Sequence, residues 1–219
     1  MKKRISVEES AVMDLCHRDP IMAKLITTVG GLTIPMRTDY FTSLVRSMVG
    51  QQISVAAATT IFDRLNTLMN YSMTAEKMQA ATDESLRAVG LSARKVLYLR
   101  DLSQKVVDGS LPLSSFAELD NNIIVKELTG IKGIGKWTAE MFLIFSLGRT
   151  DVLPVDDIGL QRGAKWLYQV DKSYRKQILF DKAHLWEPHY TIASFYLWEV
   201  VHLDYEKRYT SIHEIMESY

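Results

Sequence analysis

The chain has 219 residues, of which 47% are apolar and 24% charged. These are ordinary values for a folded globular protein, and the length supports a real core without covalent staples. Lys plus Arg and Asp plus Glu each total 26, so the formal charge is zero; this runs against a binder of nucleic acid that is basic overall, yet a local basic face on a neutral body remains compatible with it. Cys16 is the only cysteine, which excludes an internal disulfide, a four-thiolate zinc site and a cysteine-bound iron–sulfur cluster. No run reaches the ~18 apolar residues that span a bilayer, and the basic start, MKKRISVEES, lacks the apolar stretch of a secretory signal. A soluble, intracellular chain with no membrane partner is expected.

In chain order, Asp19-Pro20 reads as an N-cap followed by a first-turn proline, and Gly30-Gly31 ends that helix. Phe41, Leu44, Val45 and Met48 recur at helical spacing, and Gly50 interrupts them. Ser54 can cap the next helix, whose stripe is Ala58, Ile61, Phe62 and Leu65. Ser92 can cap another, with Val96, Leu99, Leu102 and Val106 inside and Gly109 at its end. A helix around Asn122 to Leu128 precedes GIKGIGK, and a strongly apolar helix from about Lys136 to Leu147 follows it. GRTDVLPVDD reads as extended because Pro154 disfavours helix before it. One helix follows Asp157 and another runs from about His189 to His202. No period-two strand, internal repeat or long linker is found, so the expected fold class is all-α.

The most informative string is LTGIKGIGKWTAEM, residues 128–141. Gly130, Gly133 and Gly135 permit backbone angles that side chains forbid. A tight turn there leaves N–H groups unpaired at the start of the next helix, where the helix dipole also favours an anion. Lys136 adds a cation. The arrangement suits one phosphate of a nucleic-acid backbone, a contact that positions without reading sequence. The glycine spacing alone equally suits a turn that binds nothing.

GIKGIGKWTAEM resembles the hairpin of the helix-hairpin-helix DNA glycosylases. With FTSLVRSMVGQQISVAAATTI upstream, and DVLPVDDIGLQRG and HLWEPHYTIASFYLWEV downstream, the chain over roughly residues 19–203 resembles their alkylpurine branch, the 3-methyladenine DNA glycosylase II type. The resemblance implies two helical lobes with a cleft between them. Residues 39–148 would form the central lobe with the wedge turn and the hairpin; residues 1–38 and 149–219 would form the second lobe, with the catalytic aspartate. It implies a monofunctional enzyme of base excision repair that hydrolyses the N-glycosidic bond of alkylated purines, 3-methyladenine and 7-methylguanine, in double-stranded DNA. No cofactor and a monomeric state are expected, in the cytoplasm of a bacterium or the nucleus of a eukaryote. The alternatives are a non-catalytic helix-hairpin-helix DNA-binding protein, a helical protein-interaction domain with a chance glycine turn and, among enzymes, an oxidised-purine glycosylase.

The site residues follow position by position. Aligning DVLPVDD by its two terminal aspartates puts the catalytic carboxylate on Asp157, whereas aligning by the VD dipeptide of other branches favours Asp156. We assign Asp157, leave a cap or supporting role to Asp156, and read Asp151 as structural. A fixed carboxylate stabilises the positive charge that builds on the sugar and can orient or deprotonate water. Relatives with lyase activity carry a nucleophilic lysine just before the Thr-Ala pair; here Trp137 precedes Thr138-Ala139, and Lys136 is rotated about 100° around the helix. Trp137, Met141 and Trp198 match positions lining the base pocket, where an indole face attracts a cationic purine. The same aromatic and methionine spacing also suits ordinary core.

DNA contacts are expected from the turn residues Gln51, Gln52, Ile53 and Ser54 and from Gly133, Gly135, Lys136 and Thr138. The position of Gln52 is that of the wedge filling the gap left by a flipped base, with Ile53 as the alternative wedge. Gln51 as a helix cap and Ile53 as core are the bland readings. Arg94 and Lys95 suit phosphate contacts or a solvated face equally. Tyr190 stands where relatives often have arginine. His184, His189 and His202 form no metal-ligand pattern. Relatives hold a monovalent cation on hairpin carbonyls, here matching Thr129, Ile131 and Gly133.

Overall fold

The computed structural model describes residues 1–217. In chain order it runs β1 (Lys2–Ile5), α1 (Ser10–Arg18), α2 (Pro20–Val29) and β2 (Leu32–Pro35). Then come α3 (Tyr40–Gly50), α4 (Val55–Leu68), α5 (Ala75–Ala80), α6 (Asp83–Ala88), α7 (Ala93–Val107), α8 (Asn121–Thr129) and α9 (Lys136–Phe145). It ends with α10 (Ile158–Tyr168), α11 (Gln177–Trp186), α12 (Tyr190–His202), α13 (Tyr205–Arg208) and α14 (Ile212–Glu217). The all-α class holds. The short antiparallel ribbon of β1 and β2 was not expected; Lys3 pairs with Ile34 and Ile5 with Leu32. Its strands are four residues long; only Ile5 of the first is buried, and the second, where Leu32 and Ile34 are buried in alternation, is too short to mark a strand in the sequence.

Two compact units are present: Arg37–Leu147, and Met1–Met36 together with the chain from Gly148 onward. Many helix starts are set by local chemistry. Ser54 Oγ accepts from Ala57 N–H at 3.2 Å and Ser92 Oγ from Lys95 N–H at 3.3 Å, each cap contributing about 1 kcal/mol. In the Arg37–Leu147 unit the core gathers Leu44, Met48, Leu65, Leu99, Phe116 and Phe142. The Phe142 ring meets Tyr40 and Phe116 edge-on, with centroids 5.5 and 6.1 Å away.

In the other unit, α10 packs on α12 more extensively than any other helix pair among the described residues. Gly163 makes that possible, because a Cβ there would lie 2.1 Å from the Leu197 carbonyl oxygen. Asp19 is buried and joins three helices. Its Oδ1 caps α2 through Ile21 and Met22 N–H, while Oδ2 accepts from the Tyr168 hydroxyl at 2.5 Å and the Trp186 indole at 3.1 Å. Every buried lone pair of the carboxylate is thus served by a donor, which offsets its desolvation. Burial, and secondarily the Asp19 charge, push the Tyr168 phenol well above its ordinary pKa.

Candidate active site and nucleic-acid interface

The segment before α10 is held from two sides. Thr191, buried on α12, exchanges side-chain hydrogen bonds with the backbone of Val152, and its N–H donates to the Thr150 carbonyl at 3.0 Å. Gln161, buried on α10, donates from Nε2 to the Val155 carbonyl at 2.7 Å and accepts from Arg175 Nε at 3.0 Å. A turn then closes as Asp157 N–H donates to the Pro154 carbonyl at 2.9 Å. Thr191 and Gln161 were missed in the sequence, where each is one polar residue on an apolar helix.

Asp157 is the N-cap of α10. Its Oδ1 accepts from Leu160 N–H at 2.7 Å and from the Trp198 indole Nε1–H at 2.9 Å. Gly159 makes room for both, since a Cβ there would approach Asp157 Oδ1 to 3.2 Å and Trp198 Cδ1 to 3.4 Å. The division of labour expected for the aspartate pair is corrected here. Asp157 itself caps, whereas Asp156 pairs with Lys176 Nζ at 2.5 Å on the surface. Trp198 is buried with its N–H on the carboxylate, a role that its sequence position did not suggest.

In the other unit the hairpin lies between α8 and α9. Only Gly133 uses a left-handed angle, with φ +84°. Gly130 and Gly135 have φ −72° and −94°, angles open to any residue, so of the three only Gly133 uses the freedom that glycine permits. Gly135 is the N-cap of α9 and gives it no side-chain cap. A Cβ at Gly135 would face open space, and the first N–H groups of a helix have no partner within the helix itself. Lys136 Nζ lies 3.5 Å from the Glu140 carboxylate one turn on, so its charge is partly matched within α9. Thr138 is buried. Trp137 leaves 45% of its surface exposed whereas Met141 leaves 8%; the core reading therefore fits Met141 and fails for Trp137.

The turn after α3 exposes Gln52, Ile53 and Ser54. Gln52 takes φ +57°, uncommon for a residue with a side chain. Exposure of Ile53 removes its core reading. Gln51 is turned toward the hairpin, its Nε2 donating to the Gly133 carbonyl at 2.9 Å. Lys95, considered for phosphate, donates to the Val49 and Gln51 carbonyls at 2.5 and 3.0 Å; burial lowers its pKa from the ordinary lysine value.

Of the carbonyls matched to a monovalent cation, Gly133 O accepts one hydrogen bond from Gln51 and Ile131 O one from Ile134 N–H, which leaves each a second lone pair. No step below uses a cation. Among the described residues His189 lies 3.4 Å from Asp14 and His202 3.1 Å from Glu199, no cluster of His, Cys, Asp and Glu has metal-binding geometry, and no helix is long and apolar enough to cross a membrane.

The fold, the aspartate-capped helix and the glycine hairpin define a class. The model of the HhH-GPD superfamily of base excision DNA repair proteins matches residues 45–188, and the chain belongs to that family. It is 37% identical over 171 residues to DNA-3-methyladenine glycosylase 1 of Schizosaccharomyces pombe, covering 76% of this chain and 75% of that one. Among solved structures it is similar to a DNA-3-methyladenine glycosidase of Bacillus halodurans, with TM-score 0.90, 36% identity, and coverage of 98% of this chain and 99% of the other. It is also similar to the S. pombe 3-methyladenine DNA glycosylase in complex with abasic DNA, with TM-score 0.78, 32% identity, and coverage of 88% and 96%.

Proposed function

We propose that the chain is a monofunctional DNA glycosylase that releases alkylated purines, 3-methyladenine and 7-methylguanine, from double-stranded DNA in base excision repair, acting as a monomer wherever the cell keeps its DNA. The observation that carries this reading is the Asp157 carboxylate, fixed by two N–H donors at the start of α10, in a chain whose relatives are named for 3-methyladenine. Alkylation at a ring nitrogen makes the purine cationic. The electrons of the N-glycosidic bond pass to it and it departs neutral. Positive charge then develops on the deoxyribose beside Asp157, water adds at C1′, and its proton leaves to the carboxylate or to solvent. Trp137, nearly half exposed, offers its indole to the cationic base. Gly135 and the first turn of α9 take a phosphate, with Lys136 alongside, and Gln52, at the exposed tip of its turn, is the wedge.

Incubated with methylated DNA, the protein is expected to release 3-methyladenine and 7-methylguanine, identified by chromatography, and to leave intact abasic strands. Borohydride should trap no covalent adduct, because Trp137 occupies the position of the lyase nucleophile. A trapped adduct would overturn the monofunctional assignment. Binding of methylated DNA without any base release would favour the non-catalytic DNA-binding reading.

Within this reading Trp198 is a positioning residue. Trp198→Phe keeps an aromatic ring but removes the donor on Asp157. Hydrogen bonds to charged groups are worth about 1.5–3 kcal/mol, so the single-turnover rate should fall about 10- to 100-fold with half-saturation nearly unchanged, for every substrate base. A raised half-saturation confined to cationic bases, at an unchanged rate, would return Trp198 to the base pocket.

A further inference from the structure

Helix α7 carries Lys95, Tyr98, Asp101 and Lys105. At about 100° per residue these fall within roughly a third of its circumference. All four meet the backbone of the turn after α3 or of the glycine hairpin. Lys95 Nζ holds the Val49 and Gln51 carbonyls at the base of the wedge turn. The Tyr98 ring lies under Gly133, where a Cβ would come to 2.2 Å from Cδ2. Asp101 Oδ2 accepts from Lys132 N–H at 2.9 Å, and Lys105 Nζ donates to the Gly130 carbonyl at 2.7 Å. Gln51 closes the circuit, binding wedge turn to hairpin directly through Gly133 O. On the opposite side of α7, Arg100 donates to the Met78, Gln79 and Ala81 carbonyls at 2.6, 2.8 and 2.5 Å and pairs with Asp83 at 2.8 Å. The helix is therefore anchored behind as well as in front.

We infer that α7 acts as a jig: Lys95, Tyr98, Asp101 and Lys105, with Gln51, hold the wedge turn and the phosphate-binding hairpin at a fixed offset, and Gln51 and Lys95 are positioning residues for base extrusion. The inference rests on the glycosylase reading above. Extruding a paired base costs a few kcal/mol of unstacking and unpairing. A wedge can offset that cost only if it is already ordered relative to the phosphate anchor, because ordering it at that moment costs conformational entropy. The left-handed Gln52 at the tip is the sort of unfavourable backbone that persists only when its surroundings over-determine it. Two fastened neighbours, Gln51 and the Lys95-bound carbonyls, supply that constraint.

The test uses the full chain. Gln51→Met keeps side-chain length and net charge but removes the donor to Gly133. Release of one alkylated base is timed under single turnover from two duplexes, one with the lesion in a regular pair and one with it opposite a mismatch, where less unstacking remains to be done. Gln51→Met should slow release from the regular pair about tenfold and from the mismatch by less than about twofold. Lys95→Met should give the same split, and Lys95→Arg, which retains donors, should recover most of the rate. Equal losses on both duplexes, or no loss on either, overturn the inference while leaving the glycosylase reading intact. An unsubstituted chain that releases no base from either duplex overturns that reading, and the inference falls with it. Binding to an abasic duplex, which requires no extrusion, separates a folding defect from an extrusion defect; should Gln51→Met misfold, the Lys95 pair carries the test.

Discussion

Asp157→Asn is expected to cut base release by about a thousandfold or more, the scale seen when a fixed electrostatic partner of a transition state is removed. The substitution is informative because it spares the fold. An asparagine oxygen still accepts from Leu160 N–H and from the Trp198 indole, the two donors that hold Oδ1, and Asn ranks with Asp as an N-cap. Melting temperature and affinity for abasic DNA should therefore stay close to those of the parent, and the loss should appear in the rate of the chemical step. Asp157→Ala would add the loss of a cap, about 1 kcal/mol, and mix the two effects. A parental rate in Asp157→Asn would reject the assignment of the carboxylate.

Gly163→Ala is expected to be the most damaging single change to stability. On helix propensity alone, alanine at a mid-helix glycine should stabilise by about 1 kcal/mol. Here the added Cβ would lie 2.1 Å from the Leu197 carbonyl oxygen and 2.9 Å from its carbon. Those are backbone atoms of α12, which cannot rotate away. The helices must separate, at a cost of about 3 kcal/mol, or roughly 10 °C in melting temperature for a chain of this size. Leu197 precedes Trp198, so separation also draws the indole off Asp157, and molecules that remain folded should show the rate loss of Trp198→Phe. A calorimetric scan with an unchanged or raised Tm would mean that α10 and α12 pack less closely than described.

Much of the scaffold could be read in advance because caps are local chemistry. Asp19, Ser54 and Ser92 each bond N–H groups two or three residues onward, and the apolar stripes behind them repeat at helical spacing. The ribbon escaped notice because four residues are too few to show a period. The aspartate pair could not be fully assigned because an N-cap and a stabilising carboxylate select the same residue type, and Asp157 serves as the cap in addition to its proposed role. What remained hidden is tertiary. The acceptor of the Trp198 N–H, the inward turn of Gln51 and the carbonyls held by Lys95 lie 41, 82 and 44–46 residues away in sequence. Nothing local distinguishes a lysine that binds backbone from one in water. Gly159 and Gly163, on which the sequence reading was silent, each mark a close approach.

The layout of the two units bears on how the molecule comes into being. Arg37–Leu147 is one continuous stretch, whereas the other unit needs segments from both sides of it. During translation the inner stretch can fold as it emerges, while α1 and α2, made first, wait with apolar faces such as Leu15, Met22 and Leu25 until α10 to α12 leave the ribosome. A nascent chain halted after Leu147 would own the hairpin and the wedge turn but no Asp157, and could sit on a lesion without acting on it. On the reading proposed above, the carboxylate joins the hairpin and the wedge turn only once α10 has been made.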